Sequence, residues 1–187
     1  QEVNVAGREL FKHYWLLEVA GLGEFEAYPN RDSVPYKKIY GIEDAGTMYR
    51  GTLRNIGWCD TLDKMVQFGW LSEDKRPAAG KSYAQYVREM LPPETANSGN
   101  IAADVAACLD VDQESAVIRN MAWLGLFDER PIEGVVAAIS PLDLLTTVML
   151  ARMQYAKGER DLIILVHHFD ASYPDGRKEH LTSTLIA

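Results

Sequence analysis

The sequence predicts an α+β fold, a mixed β-sheet with helices on one face, joined to an all-helical insertion. Three observations carry this expectation. Residues 23–28 alternate apolar and acidic side chains, the period of a half-buried strand. Residues 82–127 follow an almost purely helical pattern. Residues 161–187 show two strand-like runs around Tyr173-Pro174-Asp175-Gly176, a turn signal. Strands early, helices in the middle and a hairpin late suit one sheet with helices packed on it. The expected division is 1–72 and 140–187 for the α+β domain and 73–139 for the helical insert.

Each element has a local reason. The first strand runs from about Gly23 to Tyr28. Asn30, Asp32 and Ser33 make a turn or helix cap, and Pro35 suits a first helical turn. A short helix over Tyr36 to Tyr40 ends at Gly41. "TMYRGTLR" reads as a strand whose glycine lets another group approach the backbone. "GWCDTLDKMVQFGW" is helical, with Trp58, Leu62, Met65 and Val66 on one face and Gly69 closing it. "SEDKRPAAG" is polar and reads as a mobile link. The insert then offers "SYAQYVREML" before Pro92 and Pro93, "IAADVAACL", and "DQESAVIRNMAWLGLF". Asp112 is a cap for the last of these and Gly125 its end. Ser140-Pro141-Leu142-Asp143 starts a helix expected to reach about Tyr155. "DLIILVHHF" is a continuous apolar run of the kind buried on both faces. "RKEHLTSTLIA" completes the hairpin.

The bulk numbers limit the function classes. The chain has 187 residues, 47% hydrophobic and 25% charged, which suits one domain with a sizeable core or one domain with a large insertion. A net charge of −8 argues against a nucleic-acid partner, whose footprint is basic. No apolar run is long enough to cross a bilayer and no signal peptide is visible, so no membrane partner is expected. Two cysteines, Cys59 and Cys108, form no disulfide framework, and a reduced intracellular setting is the simpler reading. Gln1 at the start and an apolar run at Ala187 read as a piece of a longer protein.

Several motifs fail on their own chemistry. "GLGEFE" has Glu26 where a dinucleotide fingerprint needs its third glycine. "AAGKS" has Lys75 where a phosphate loop needs its first glycine, with no strand before it. His167 and His168 are strand neighbours that point to opposite faces, so they do not share a metal ion, and no metal site is expected. Cys59, on a helix's first turn, reads as a small buried hydrophobe rather than a reactive thiolate. The arginines remain. Arg31 sits in a turn after a strand, and Arg50 and Arg54 share one strand face with Thr52 between them. Such a face suits a carboxylate gripped by guanidinium and hydroxyl groups. Structural ion pairs with Asp32, Asp44 or Asp60 explain the same arginines, and the residues leave both readings open.

"YPNRDS" followed by "YRGTLRNIGWCDTLDKMVQFGWL" resembles the saccharopine dehydrogenase (saccharopine reductase) family. So do "MAWLGLF" and "MQYAKGERDLIILVHHFDASYPDGRKEHLTSTL". The blocks keep the family's order across nearly the whole chain, with residues 72–117 matching weakly. The resemblance implies the C-terminal substrate-binding and dimerisation part of an enzyme whose Rossmann domain lies outside this chain. It implies NAD- or NADP-dependent hydride transfer that interconverts saccharopine with glutamate and 2-aminoadipate 6-semialdehyde in lysine metabolism. The cofactor would be held by the Rossmann domain, with none expected in this fragment, which alone would be inactive. The resemblance also implies a homodimer, in the cytoplasm or, in animal-like relatives, the mitochondrion. The family's Asn-Arg-Asp-Ser substrate contact falls on Arg31, and its Thr-Leu-Arg contact on Thr52, Leu53 and Arg54. Leu181 departs from fungal members, which often have arginine there. No catalytic acid or base is assigned. A carboxynorspermidine dehydrogenase-type fragment and a non-catalytic association module are the alternative readings.

Overall fold

The computed structural model describes residues 2–95, 98–135 and 137–187. A 3-10 helix over Gly7–Lys12 precedes β1 (Trp15–Val19), which turns back into β2 (Gly23–Pro29). Gly21 and Gly23 both have positive φ in this turn, a conformation that L side chains rarely adopt. The short α1 (Tyr36–Ile39) then carries the chain to β3 (Gly51–Arg54), the edge strand of this sheet among the described residues. β2 pairs antiparallel with both neighbours, and Glu26 lies opposite Arg54 and Tyr28 opposite Thr52.

The helical body consists of α2 (Trp58–Phe68), α3 (Tyr83–Arg88), α4 (Ile101–Leu109), α5 (Ala116–Leu124) and α6 (Pro141–Arg152). These pack around one apolar core. Met65 and Trp70 come from α2 and its end, Tyr86 and Val87 from α3, Val105 from α4, Met121 from α5, and Leu144 and Val148 from α6. Gly69 and Gly125 close α2 and α5 in the left-handed conformation, as their sequence positions predict.

The α+β class stands, and the strands depart from it in arrangement. They form three separate antiparallel sheets among the described residues rather than one mixed sheet. Each strand pairs with a partner that a turn or the helical body brings beside it. β4 (Arg76–Pro77) pairs with β5 (Ala138–Ile139), and β6 (Ile164–Ser172) with β7 (Lys178–Ile186). The "SEDKRPAAG" segment is held, not mobile. Besides the β4–β5 pairing, the amides of Ala78 and Ala79 donate to the carbonyl of Ala137, and Ala78 is buried. The β6 run is not buried on both faces. Leu165 and Phe169 are about half exposed, because the described residues leave both faces of this hairpin largely uncovered.

Three local expectations also shift. Ser115, not Asp112, caps α5 and accepts from the Ile118 amide, while Asp112 accepts from the Glu114 amide one turn earlier. α6 ends at Arg152 rather than Tyr155. The buried stripe of α2 is Cys59, Thr61, Met65 and Phe68. Trp58 and Leu62 instead line a half-open groove of about 210 Å³ with Trp123, Met149 and Met153.

Candidate functional site

The turn after β2 is joined to the residue before β3 by two hydrogen bonds and braced internally by a third. Asn30 donates its amide to the Arg50 carbonyl at 2.9 Å. The Arg50 amide donates to Ser33 Oγ at 3.1 Å. Asp32 accepts the Val34 amide at 2.9 Å, an Asx turn that uses its carboxylate locally. The result holds Arg31 at the bend with φ of +48°, the left-handed region, and with its side chain exposed. A non-glycine residue at positive φ is uncommon and concentrates at functional bends.

Thr52 is half-buried and Arg54 exposed, and both lie on the face of the sheet that carries Glu26 and Tyr28. Leu53 points to the opposite face, so a ligand on the Thr52–Arg54 face meets Leu53 through its main chain. Arg54 Nη1 donates to the Leu53 carbonyl at 2.9 Å, and its guanidinium carbon lies 5.4 Å from the Trp58 ring centre. Arg50 is not available in the same way, because its guanidinium lies flat against the Tyr36 ring at 3.7 Å.

The ion-pair explanation finds no support in this geometry. Among the described residues, neither Arg31, Arg50 nor Arg54 forms an ion pair. Asp32 serves its own turn, and Asp60 accepts from the Tyr14 hydroxyl at 3.2 Å. Arg54 is thus presented at the end of β3 and Arg31 at the bend after β2, both without a carboxylate partner among the described residues. The ladder runs three residue steps from the Glu26–Arg54 pair to the Pro29–Gly51 pair, roughly 10 Å along a strand, and Arg31 lies beyond its far end. That span suits a long ligand with acidic groups at separate points better than one small anion.

The glycine at position 51 has the close approach that its sequence context predicts. A side-chain carbon there would meet the Tyr49 ring at 2.5 Å from its hydroxyl. Tyr49 packs in turn against Trp15 in a tilted arrangement, with ring centres 4.6 Å apart.

The "GLGEFE" turn does not have the shape of a dinucleotide cradle. Gly21 and Gly23 turn one strand into another, whereas a pyrophosphate needs a turn from a strand into a helix. "AAGKS" ends as the capping box of α3, where Ser82 and Gln85 exchange hydrogen bonds. Cys59 is fully buried, and burial first, then the hydrogen bond and charge of Glu26, push its thiol up to about 12.

Sequence reasoning missed Glu26 and Trp58. A signal for the first was present: "GWCD" opens α2 without a capping side chain at Gly57, so the acceptor for its first amides must come from elsewhere. The aromatic seats of Arg50 and Arg54 had no signal in the spacing.

The fold is an α+β domain of small antiparallel sheets and a helical core. Over residues 1–187 it matches the family model for the saccharopine dehydrogenase C-terminal domain, and the chain belongs to that family. The saccharopine dehydrogenase [NADP(+), L-glutamate-forming] of Pyricularia oryzae is 32% identical over 190 residues, covering 97% of this chain and 41% of that protein. The protein of the same name from Saccharomyces cerevisiae is 33% identical over 171 residues, covering 87% and 37%. The mitochondrial alpha-aminoadipic semialdehyde synthase of Bos taurus is 32% identical over 165 residues, covering 86% and 18%. The apo structure of the Saccharomyces cerevisiae saccharopine dehydrogenase (L-Glu forming) superposes with a TM-score of 0.76 at 29% identity, covering 95% of this chain and 40% of that one. The chain therefore spans less than half the length of these relatives.

Proposed function

We propose that this chain is the substrate-binding domain of a saccharopine dehydrogenase. The parent protein would interconvert saccharopine with glutamate and 2-aminoadipate 6-semialdehyde by hydride transfer to or from NADP, in lysine metabolism. The observation that carries the reading is a pair of exposed arginines, Arg31 at the bend after β2 and Arg54 at the end of β3, without ion-pair partners among the described residues. Saccharopine has carboxylates at separate points of a long chain, which suits two guanidinium stations better than one. Thr52 adds a hydroxyl between them, and Leu53 lies alongside. The relatives named for NADP supply the cofactor assignment, and the nucleotide would be held outside this domain. The isolated domain would bind substrate without turning it over. The parent is read as a homodimer.

In this reading the arginines bind and orient. Each charge-assisted contact fixes one end of the substrate, so the reacting amine carbon is presented at a constant place to the nucleotide-bearing part of the enzyme. They hold the substrate equally before and during hydride transfer, so losing one weakens binding more than turnover. In a full-length protein carrying this domain, Arg31→Ala and Arg54→Ala should each raise the KM for saccharopine roughly tenfold to a hundredfold, with kcat little changed. Steady-state kinetics with saccharopine and with a carboxynorspermidine-type substrate check this. Unchanged KM in both variants, or preference for the polyamine substrate, sinks the reading.

A further inference from the structure

Glu26 is 1% exposed in the middle of β2. A carboxylate taken from water needs full compensation, and both of its oxygens have it. Oε1 accepts the Gly57 amide at 2.8 Å, and Oε2 accepts the Cys59 amide at 2.7 Å. These are first-turn amides of α2, which no side chain of the preceding loop caps. An anion there also meets the positive end of the helix dipole.

The same residue acts a second time through its main chain, because it is the β2 residue paired with Arg54. Glu26 therefore grips both ends of the segment from Arg54 to Cys59. Trp58 lies between the two amides that the carboxylate holds, and its ring is where the Arg54 guanidinium rests. The buried indole N–H of Trp58 finds no acceptor among the described residues, so no hydrogen bond of its own fixes that ring.

We infer that Glu26 is a positioning residue for substrate binding: its carboxylate fixes the first turn of α2, and with it the Trp58 seat that sets the direction of Arg54. The inference rests on the reading of Arg54 as a carboxylate ligand. Other ties keep the turn folded when the carboxylate is altered. Thr61 Oγ1 donates to the Gly57 carbonyl, Asn120 donates to Thr61 Oγ1, and Tyr14 donates to Asp60.

The test uses a full-length protein carrying this domain, with Glu26→Gln, Arg54→Ala and the double variant. A glutamine keeps the shape, but its amide group places a donor against one of the two N–H groups. Glu26→Gln should raise the saccharopine KM roughly tenfold and leave kcat within about twofold, the signature of lost uniform binding. Hydrogen exchange in a peptide covering residues 55–62 should speed up. The double variant should be no worse than Arg54→Ala alone, because both act through one guanidinium. Unchanged KM, unchanged exchange, or losses that multiply in the double variant would each overturn the inference. Trp58→Leu removes the seat without touching the Glu26 hydrogen bonds and should raise the same KM; no change there also overturns it. If Arg54→Ala itself leaves KM unchanged, the proposed substrate site fails first and this inference falls with it. A failure in Glu26→Gln beside an effective Arg54→Ala fails the inference alone.

Discussion

Cys59 shows what a single buried position does to chemistry. Its sequence place, on a helix's first turn, favours a thiolate. Burial and the neighbouring Glu26 carboxylate reverse that and push the thiol up to about 12. Iodoacetamide at pH 8 should therefore leave Cys59 unlabelled in the native protein and modify it on unfolding; rapid native labelling contradicts this. Gly51 makes a different residue-scale point. Gly51→Ala should cost about 1 kcal/mol by displacing the Tyr49 ring, and the cost should shrink in a Tyr49→Ala background. Thermal melts of the four variants check it. The need for a small residue at 51 was legible in the sequence, as was the buried thiol. The identity of the group against Gly51 was not, because Tyr49 lies just before the strand, where alternation does not set side-chain direction. Arg31, Thr52 and Arg54 were legible as a chemical set, while the Trp58 and Tyr36 rings under the arginines depend on side-chain direction and left no periodic trace.

Elements in this chain start on hydrogen bonds that can be named. Asn100 caps α4 by accepting from the Ala102 and Ala103 amides. One turn further, Asp104 is buried and accepts from the Ser98 amide at 3.0 Å and from Arg88 at 3.1 Å. Hydrogen bonding from Ser98, and then the Arg88 guanidinium, hold its carboxyl below the ordinary value. The folded pKa is depressed, so the contribution to stability is complete above the unfolded value, about 3.9, and is lost as pH falls through the folded value. Asp104→Asn should lower the urea midpoint at pH 7 and flatten the decline of stability below pH 4. A variant with an unchanged acid limb contradicts the assignment. In the sequence, "IAADVAACL" reads as helical and gives no role to Asn100 or Asp104, since the Ser98 and Arg88 partners of Asp104 come from outside that helix. α2 repeats the lesson in reverse: its cap comes from Glu26, 31 positions earlier, which local reading cannot reach. β6 failed for a related reason. A continuous apolar run says that a strand prefers cover, and it does not say that the cover lies in the same chain.

At the scale of the whole molecule, one core joins residues from both sides of the expected boundaries. Met65 and Trp70 precede position 73, Tyr86, Val105 and Met121 fall inside 73–139, and Leu144 and Val148 follow. Met121→Ala should cost about 2–5 kcal/mol, since its side chain is fully enclosed. Tryptophan fluorescence and far-UV circular dichroism should follow the same urea transition for the helical body, and two separated transitions would contradict a shared core. The α+β class and the helical middle were legible because periodicity reports burial over long segments. The separation of the strands into three sheets was not, because pairing depends on which segments the helices bring together. The central claim concerns β3, and binding tests it most directly. Titration calorimetry of saccharopine into a full-length protein carrying this domain should give a Kd that weakens roughly tenfold or more in Arg31→Ala and again in Arg54→Ala. Equal affinity in the parent and in the double variant would contradict the assignment of these arginines to the substrate.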